Sequence, residues 1–552
     1  MLGPPADATV EQLVLIASVF WLLSANRPFL AAVLRDGAAT SAATWGFAAA
    51  MVVAVIAVHA LILALVCNRW TVKPVLALLV VATAAASYYM TAFGAYLDPS
   101  MLRSVLHTHP AEAGELLTAN LALHMLLYAG LPLLLLWRVS VVKKPWASAL
   151  GRRTILVVAA LVTVVAAIAA TFQPLASLMR NHKEVRYLIT PANVLWSAGA
   201  VLAADAREKP GARRAIGLDA APGPSWAART RPLVVVLVIG ETARAANWGL
   251  SGYARQTTPR LASLPVINFA QVSTCGTNTE VSLPCMFAPV GRRQYDEDRI
   301  RGQESLLHVA ARAGVGIHWR DNQSGCKGVC DGLPTEQVLP SHAPGLCHDG
   351  RCLDEALVRD LDDRLRALGK PGANAGPQLW VMHMLGSHGP SYFRRYPDAF
   401  ARFVPDCRDD DLRNCSVDQI VNAYDNSLLY TDHVLATTIE RLQAHAREVD
   451  AALLFVSDHG ESLGEKGLFL HGVPYAIAPD EQTRVPMVFW ASSRFESAAG
   501  FDEGCLSRAM KRQAARAQSH DVLFHTTLGL LDVNTALHEP ALDMAAECRH
   551  AP

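Results

Sequence analysis

Long apolar runs occupy the first part of the chain and do not recur after about residue 205. Residues 11–33, 44–67, 74–96, 117–137 and 154–172 each stay apolar over roughly the 20 residues a helix needs to cross a bilayer. Farther on the pattern changes. Short unbroken apolar runs at Pro232–Ile239, Gln378–Met384 and Ala451–Val456 alternate with segments of helical character. Runs of this kind predict strands buried on both faces, as in a mostly parallel sheet with helices on either side. The expected organisation is a five-helix transmembrane domain over 1–172, a connector and Pro/Gly/Arg-rich linker over 173–231, and an α/β domain over 232–552. The polar loop 98–116, between the third and fourth spans, is expected to carry a short helix lying at the membrane surface.

Charge adds an orientation. Lys plus Arg and Asp plus Glu balance at 49 each, which argues against wholesale nucleic-acid binding. With the N-terminus inside, Arg69, Lys73, Arg138, Lys143, Lys144, Arg152 and Arg153 fall in cytoplasmic loops, and only Arg35 and Arg103 fall opposite. That asymmetry predicts a cytoplasmic N-terminus and an exported C-terminal domain. The first run lacks a basic n-region and contains Arg27-Pro28, so it reads as a retained span and not a cleaved signal. Ten of eleven cysteines lie after residue 270, in the exported part. They suggest sequential disulfides 275–285, 326–330, 347–352 and 407–415, and leave open whether Cys505 and Cys548 pair; no Cys-x-x-Cys pair favours structural zinc instead.

Candidate chemistry collects beyond the carboxyl ends of the apolar strands, where open α/β sheets bind ligands. Glu241 follows the first run, His388 the second, and Asp458 and His459 the third. Glu241, Asp458 and His459 offer carboxylate oxygens and an imidazole nitrogen, a mixed set suited to Zn²⁺ or Mn²⁺. Asp458-His459 taken alone also suits a helix N-cap beside a surface histidine. The loop Cys275-Gly-Thr-Asn-Thr-Glu-Val-Ser-Leu-Pro-Cys285 supplies hydroxyls that a bound cation would activate. Thr279 and Thr277 compete for the nucleophile's place, and Ser273, Thr274 and Ser282 compete less well. Lys327, between Cys326 and Cys330, is a candidate phosphate contact, though a single lysine is usually a solvated one. His383, His388 and His471 are candidates for proton transfer or phosphate contact. Glycines beside His388 and His471 would let a substrate approach the backbone closely.

Gly-Glu-Thr-Ala-Arg (240–244), Cys-Gly-Thr-x-Thr (275–279), Lys-Gly-Val (327–329), Gly-Ser-His-Gly-Pro (386–390) and Ser-Asp-His-Gly-Glu-Ser-Leu-Gly-Glu (457–465) stand in one chain with Leu-His-Gly (470–472) and Ser-His-Asp (519–521). Together they resemble the lipid A phosphoethanolamine transferases, the group that includes the mobile colistin-resistance enzymes. The resemblance implies an alkaline-phosphatase/sulfatase-like domain behind five spans, in the bacterial inner membrane with the catalytic domain periplasmic. It implies Thr279 as nucleophile, zinc on Glu241, Thr279, Asp458 and His459, a second zinc left open, and Lys327, His388 and His471 on phosphate or substrate. It implies transfer of phosphoethanolamine from phosphatidylethanolamine to lipid A or lipopolysaccharide through a threonine ester, by a monomer, with polymyxin resistance as the consequence. Similar enzymes carry Met-x-x-Asn-x-x-x-Thr-x-x-x-Glu near the membrane surface. Met101, Thr108 and Glu112 match that motif, while Ser104 replaces the asparagine, so Ser104, Thr108, Glu112 and His383 are expected on the substrate side.

Rival readings differ in their residues. A sulfatase would need the Cys-x-Pro-x-Arg context that formylglycine maturation uses, which Cys275 lacks. A transporter would need more ionisable residues than Arg27, His59 and His124 within its spans. Transfer to core sugars or other glycans, and phosphoglycerol transfer on the same fold, stay open, since the pocket and not the fold separates them.

Overall fold

The computed structural model describes residues 6–35, 41–108, 110–207, 213–341, 343–348, 351–370 and 376–549. The chain separates into two compact units, residues 1–102 with 117–205, and residues 103–116 with 206–552.

The first unit is helical. Ala42–Val66, Val72–Phe93, Ala119–Arg138 and Trp146–Ala170 are each long and apolar enough to cross a membrane. The first apolar run is not one straight span, as the sequence suggested. It divides into Val10–Ala25 and Arg27–Leu34, bent by 65°. Two features impose the bend. Pro28 has no N–H for the helical ladder. Asn26 is buried, and its side-chain amide donates to the carbonyls of Trp21 (2.9 Å) and Thr190 (2.7 Å) while its oxygen accepts from the Thr190 N–H (3.0 Å). Counting the bent pair as one span makes five.

The second unit is built on an eight-stranded sheet. We label its strands β1 (Leu233–Gly240), β2 (Ile267–Ser273), β3 (Gly316–Asp321), β4 (Thr335–Gln337), β5 (Gln378–His383), β6 (Asp450–Ser457), β7 (Arg484–Ala491) and β8 (Gln518–Ser519). Their order across the sheet is β8-β2-β7-β6-β1-β5-β3-β4. Every neighbour pair is parallel except β6–β7 and β7–β2. β7 alone runs backwards, so the carboxyl ends of the other seven share one edge. Every residue of β1 and β6 is buried. On β1, Leu233, Val235, Leu237 and Ile239 pack in a core with Leu306, Leu307, Met510, Leu523 and Phe524. The alternate residues Val234, Val236 and Val238 are equally buried, so both faces are covered, as the continuous apolar run requires.

The loop expected to carry one short helix carries two, Pro99–Leu106 and Pro110–Glu115, and from Arg103 onward it belongs to the second unit. Glu115 is buried there against Arg395 (2.6 Å) and Arg351. The four expected disulfides 275–285, 326–330, 347–352 and 407–415 form, and Cys505 and Cys548, whose pairing the sequence left open, form a fifth. Cys67 stays a thiol, buried in the helical unit.

The 505–548 bridge spans the widest sequence separation of the five, 43 residues, and so restricts the unfolded chain most. Replacing both cysteines by alanine is expected to destabilise the second unit by about 4 kcal/mol on chain-entropy grounds. Denaturant unfolding of the full chain in detergent, followed by tryptophan fluorescence, measures it.

Candidate active site

The site forms where the strands end. Glu241 follows β1, and Asp458 and His459 follow β6, the strand beside it. Their ligand atoms lie within 4.8 Å of one another, and all three side chains are fully buried. The turn after β1 is held under constraint. Thr242 sits at φ 55°, a left-handed conformation that a β-branched residue rarely adopts. Hydrogen bonds offset that cost: Tyr424 Oη donates to the Thr242 carbonyl (2.7 Å), the Ala243 N–H to Ser457 Oγ (2.8 Å) and the Arg244 N–H to Tyr424 Oη (2.9 Å). Gly386 is the other device. It lies at φ +57°, and a Cβ there would stand 2.5 Å from the Glu241 carbonyl oxygen. Its own N–H donates to buried Asp354 (2.8 Å), which clamps the β5 loop against Glu241.

Thr279 enters from a third direction. It opens the helix Thr279–Met286, whose N-cap Asn278 accepts from the Val281 N–H, inside the loop closed by Cys275–Cys285. Its Oγ1 donates to Glu241 Oε2 (3.0 Å) and lies 3.3 Å from His459 Nε2. Thr277 does not share this position. Its hydroxyl donates to the Val473 carbonyl (2.7 Å), which separates the two threonines that the sequence left in competition. Ser282 donates to the Asp458 carbonyl (2.5 Å) and Ser273 to that of Gln518 (3.2 Å).

The donor set fits a divalent cation. Glu241 Oε1 and Asp458 Oδ2 are buried and receive no hydrogen bond. His459 Nε2 lies 3.2 and 3.4 Å from them. His459 Nδ1 meets the Gly460 carbonyl at 3.0 Å, which keeps a proton on that nitrogen and turns Nε2 inward. Burial disfavours a charged imidazole, but the Asp458 and Glu241 carboxylates outweigh it and push His459 up to about 10. Burial and the neighbouring Glu241 charge raise Asp458. Two buried carboxylates thus demand positive charge, which a proton or a metal ion can supply.

Around this centre His471, Lys327 and His383 are each held by an acid. The His471 ring lies 4.3 Å from that of His459, tilted to it, and 5.4 Å from that of His388, edge-on, with its Nδ1 2.8 Å from Glu461 Oε2. Burial, with the charge on His459, holds its pKa below the usual value. Lys327 Nζ pairs with Glu280 Oε1 (2.9 Å) and donates to Ser324 Oγ (2.8 Å). His383, the last residue of β5, is wholly buried with its Nδ1 2.9 Å from Asp321 Oδ2. Burial lowers its proton affinity, yet Asp321, with the charges of Glu241 and Asp458, raises it more. Gln323 donates to Glu241 Oε2 (3.2 Å). His520 accepts the Cys275 N–H and bonds the Ser457 carbonyl through Nε2 (2.9 Å); burial pushes it down to about 3, so it is a neutral tie between β2 and β6.

Several expectations need correction or limits. The glycines near His388 do not open the backbone to a substrate. A Cβ on Gly389 would meet Leu470, Glu461 and Tyr392 within 2.8 Å, and Gly386 is filled by Glu241, so the chain itself occupies that space. Thr108 turns its hydroxyl to the Ser104 carbonyl (2.7 Å) and lines a cavity of about 550 Å³ with His107, Gln323 and Ser324. Ser104 is half-buried on the same turn. The side chain of Glu112 lies outside the described residues. Glu280, Glu461, Asp321 and Gln323 were not singled out from sequence. Glu280 and Glu461 stand inside quoted motifs, but an acid's partner is not written in its neighbours.

The chain is similar to known proteins along most of its length. The model for "Phosphoethanolamine transferase EptA/EptB" matches residues 55–206, and that for Sulfatase matches residues 234–533. Phosphoethanolamine transferase EptA of Escherichia coli K12 is 37% identical over 490 residues, 87% of this chain and 86% of that one. Phosphatidylethanolamine transferase Mcr-1 of Escherichia coli is 37% identical over 499 residues, covering 88% and 91%. The integral membrane lipooligosaccharide phosphoethanolamine transferase A of Neisseria meningitidis superposes with a TM-score of 0.92 at 35% identity, covering 99% of this chain and 100% of that one.

Two outcomes follow from this geometry. Gly386→Ala should displace Glu241 and weaken divalent-metal binding by about 10- to 100-fold, as loss of an outer support does. Metal titration against a chelator reads this directly. Since His459 holds a proton up to about 10 without metal, binding must expel it. Metal affinity should therefore fall about tenfold from pH 8 to pH 7; a flat profile would mean that His459 is already unprotonated in the metal-free site.

Proposed function

Because the chain belongs to the phosphoethanolamine transferase family with a sulfatase-type domain, we propose that it moves phosphoethanolamine from phosphatidylethanolamine to a lipid A phosphate through an ester on Thr279. The observation that carries this reading is the placement of Thr279 Oγ1 between Glu241 and His459, while Thr277 is tied to a backbone carbonyl. Glu241, Thr279, Asp458 and His459 would hold zinc, which supplies positive charge that lowers the threonine's pKa and offsets the carboxylates.

The chain's own residues divide the remaining work. Thr279 Oγ1, aimed by its helix and the 275–285 bridge, forms a bond to the donor phosphorus as the bond to the diacylglycerol oxygen breaks. The proton that Thr279 Oγ1 loses passes through His471, a neutral imidazole oriented by Glu461, to the leaving diacylglycerol oxygen. Lys327 and His388 lie on the phosphate side. In the second half, a lipid A phosphate hydroxyl gives its proton to His471 as its oxygen attacks the same phosphorus, the Thr279 bond breaks, and that proton returns to Thr279 Oγ1. Thr108, which bonds back to the Ser104 carbonyl one turn before it, borders the entry for the donor head group through the cavity it lines. Glu112 shares their motif. His383, buried on Asp321, supports the centre from behind and does not meet substrate.

The chain's charge asymmetry and its disulfides support a cytoplasmic N-terminus with the second unit in the periplasm, anchored in the inner membrane. A cationic ethanolamine on lipid A would weaken its attraction for polymyxins.

Mass spectrometry of lipid A from a Gram-negative host expressing the chain tests the reading. A phosphoethanolamine adduct with raised polymyxin survival is expected, and Thr279→Ala at equal expression should lower transfer by at least about 10³-fold. An adduct surviving in that variant would exclude Thr279 as nucleophile. An adduct on core sugars in place of lipid A would move the acceptor.

A further inference from the structure

Glu280, the residue after Thr279, has no part in the ligand set, yet it is buried to 4% side-chain exposure where cations converge. Lys327 Nζ lies 2.9 Å from Oε1, His107 Nδ1 3.4 Å from Oε1 and Arg301 Nη2 3.6 Å from Oε2. Arg301 Nη2 also donates to the Glu280 carbonyl (2.6 Å), while its Nε reaches Glu297 (3.1 Å). Glu297 in turn takes Arg103 (2.8 Å). The run Arg103–Glu297–Arg301–Glu280–Lys327 therefore alternates in sign and joins the helix that carries Ser104 to the helix that carries Thr279. Its three cations face two carboxylates, one positive charge in surplus before His107 is counted.

A carboxylate in this place is a fixed anion exactly one residue from the hydroxyl that must receive a phosphodiester. Lys327 is itself nearly buried, at 9%, and held at φ 49°. A buried ammonium needs an anionic neighbour. Glu280 serves that need when no substrate is present, and its charge opposes any second anion that approaches the same lysine. We infer that Glu280 is a built-in counter-anion of the phosphate subsite: it shares Lys327 with the donor phosphate and thereby limits how tightly that phosphate is held. The chemistry recognised is a phosphate monoanion or dianion, whether on a lipid head group or free. Weak ground-state binding is useful here, since only contacts that strengthen in the transition state speed the reaction. Glu280 is thus a positioning and affinity-setting residue. The inference rests on the phosphoethanolamine-transfer reading for its biological meaning, and its electrostatic content can be tested apart from it.

Glu280→Gln keeps an acceptor for Lys327 and removes the charge; Glu280→Asp keeps the charge. Full-length, metal-loaded protein is used throughout. Two readouts are taken: diacylglycerol release against phosphatidylethanolamine mole fraction in mixed micelles, and inorganic phosphate binding by calorimetry. Glu280→Gln should lower both the donor KM and the phosphate Kd by about fivefold, the effect of one partly screened charge at this range, with little gain in kcat/KM's kcat component. Glu280→Asp should stay close to the wild type. A purely structural role predicts the opposite sign, a raised KM that Glu280→Asp does not rescue, and would overturn the inference, as would an unchanged phosphate Kd. Should Glu280→Gln fail to fold, Lys327→Gln decides: phosphate must bind more weakly, and unaltered binding refutes a subsite at Lys327. Absence of diacylglycerol from the wild type would instead defeat the transfer reading, while the phosphate Kd would still judge Glu280.

Discussion

Two buried carboxylates that can stay charged together only with positive charge beside them organise the second unit. Glu241 and Asp458 end adjacent parallel strands, fully buried, each with an oxygen that no hydrogen bond reaches. Such a pair is costly unless positive charge stands between its members. Their neighbours meet that demand in an ordered way. His459 turns Nε2 inward because Gly460 occupies its other nitrogen, and Thr279 brings its hydroxyl to the same centre. The strained Thr242 turn and the missing Cβ at Gly386 keep Glu241 where the pairing needs it.

A second tier of acids repeats the logic one layer out. Asp321 holds His383, Glu461 holds His471, and Glu280 holds Lys327. Each of these three basic groups is aimed by a carboxylate that is itself buried. This tier orients groups without delivering their full charge to a substrate, which suits a reaction that must accept an anionic phosphodiester and then release its parts.

The loops that carry this machinery are long and rich in turns, and covalent ties compensate. The bridge 275–285 closes the loop of Thr279, and 326–330 closes that of Lys327. Buried ionic contacts add to them. Glu115, on the segment 103–116, is enclosed by Arg395 and Arg351, so a stretch that is distant in sequence becomes part of the catalytic unit.

Much of this was legible along the chain. Continuous apolar runs marked β1, β5 and β6 as doubly buried strands, and a polar residue past each run marked the edge where a site belongs, because strand direction alone carries residues there. The spans were legible from length and hydropathy, and four of the five disulfides from the nearness of the cysteines in sequence. What the chain order could not reveal were relations across it. Thr277 and Thr279 look alike in a hydroxyl-rich loop, and only the carbonyl of Val473 takes one of them out of the centre. The 65° break at Asn26 depends on Thr190, 164 positions away. Glycines that looked like room for a substrate are filled by Glu241 and Leu470. Local patterns record a residue's own preference for strand, helix or turn. Which acid meets which base, and which hydroxyl stays available, is decided when packing brings distant segments together and every buried polar atom must find a partner.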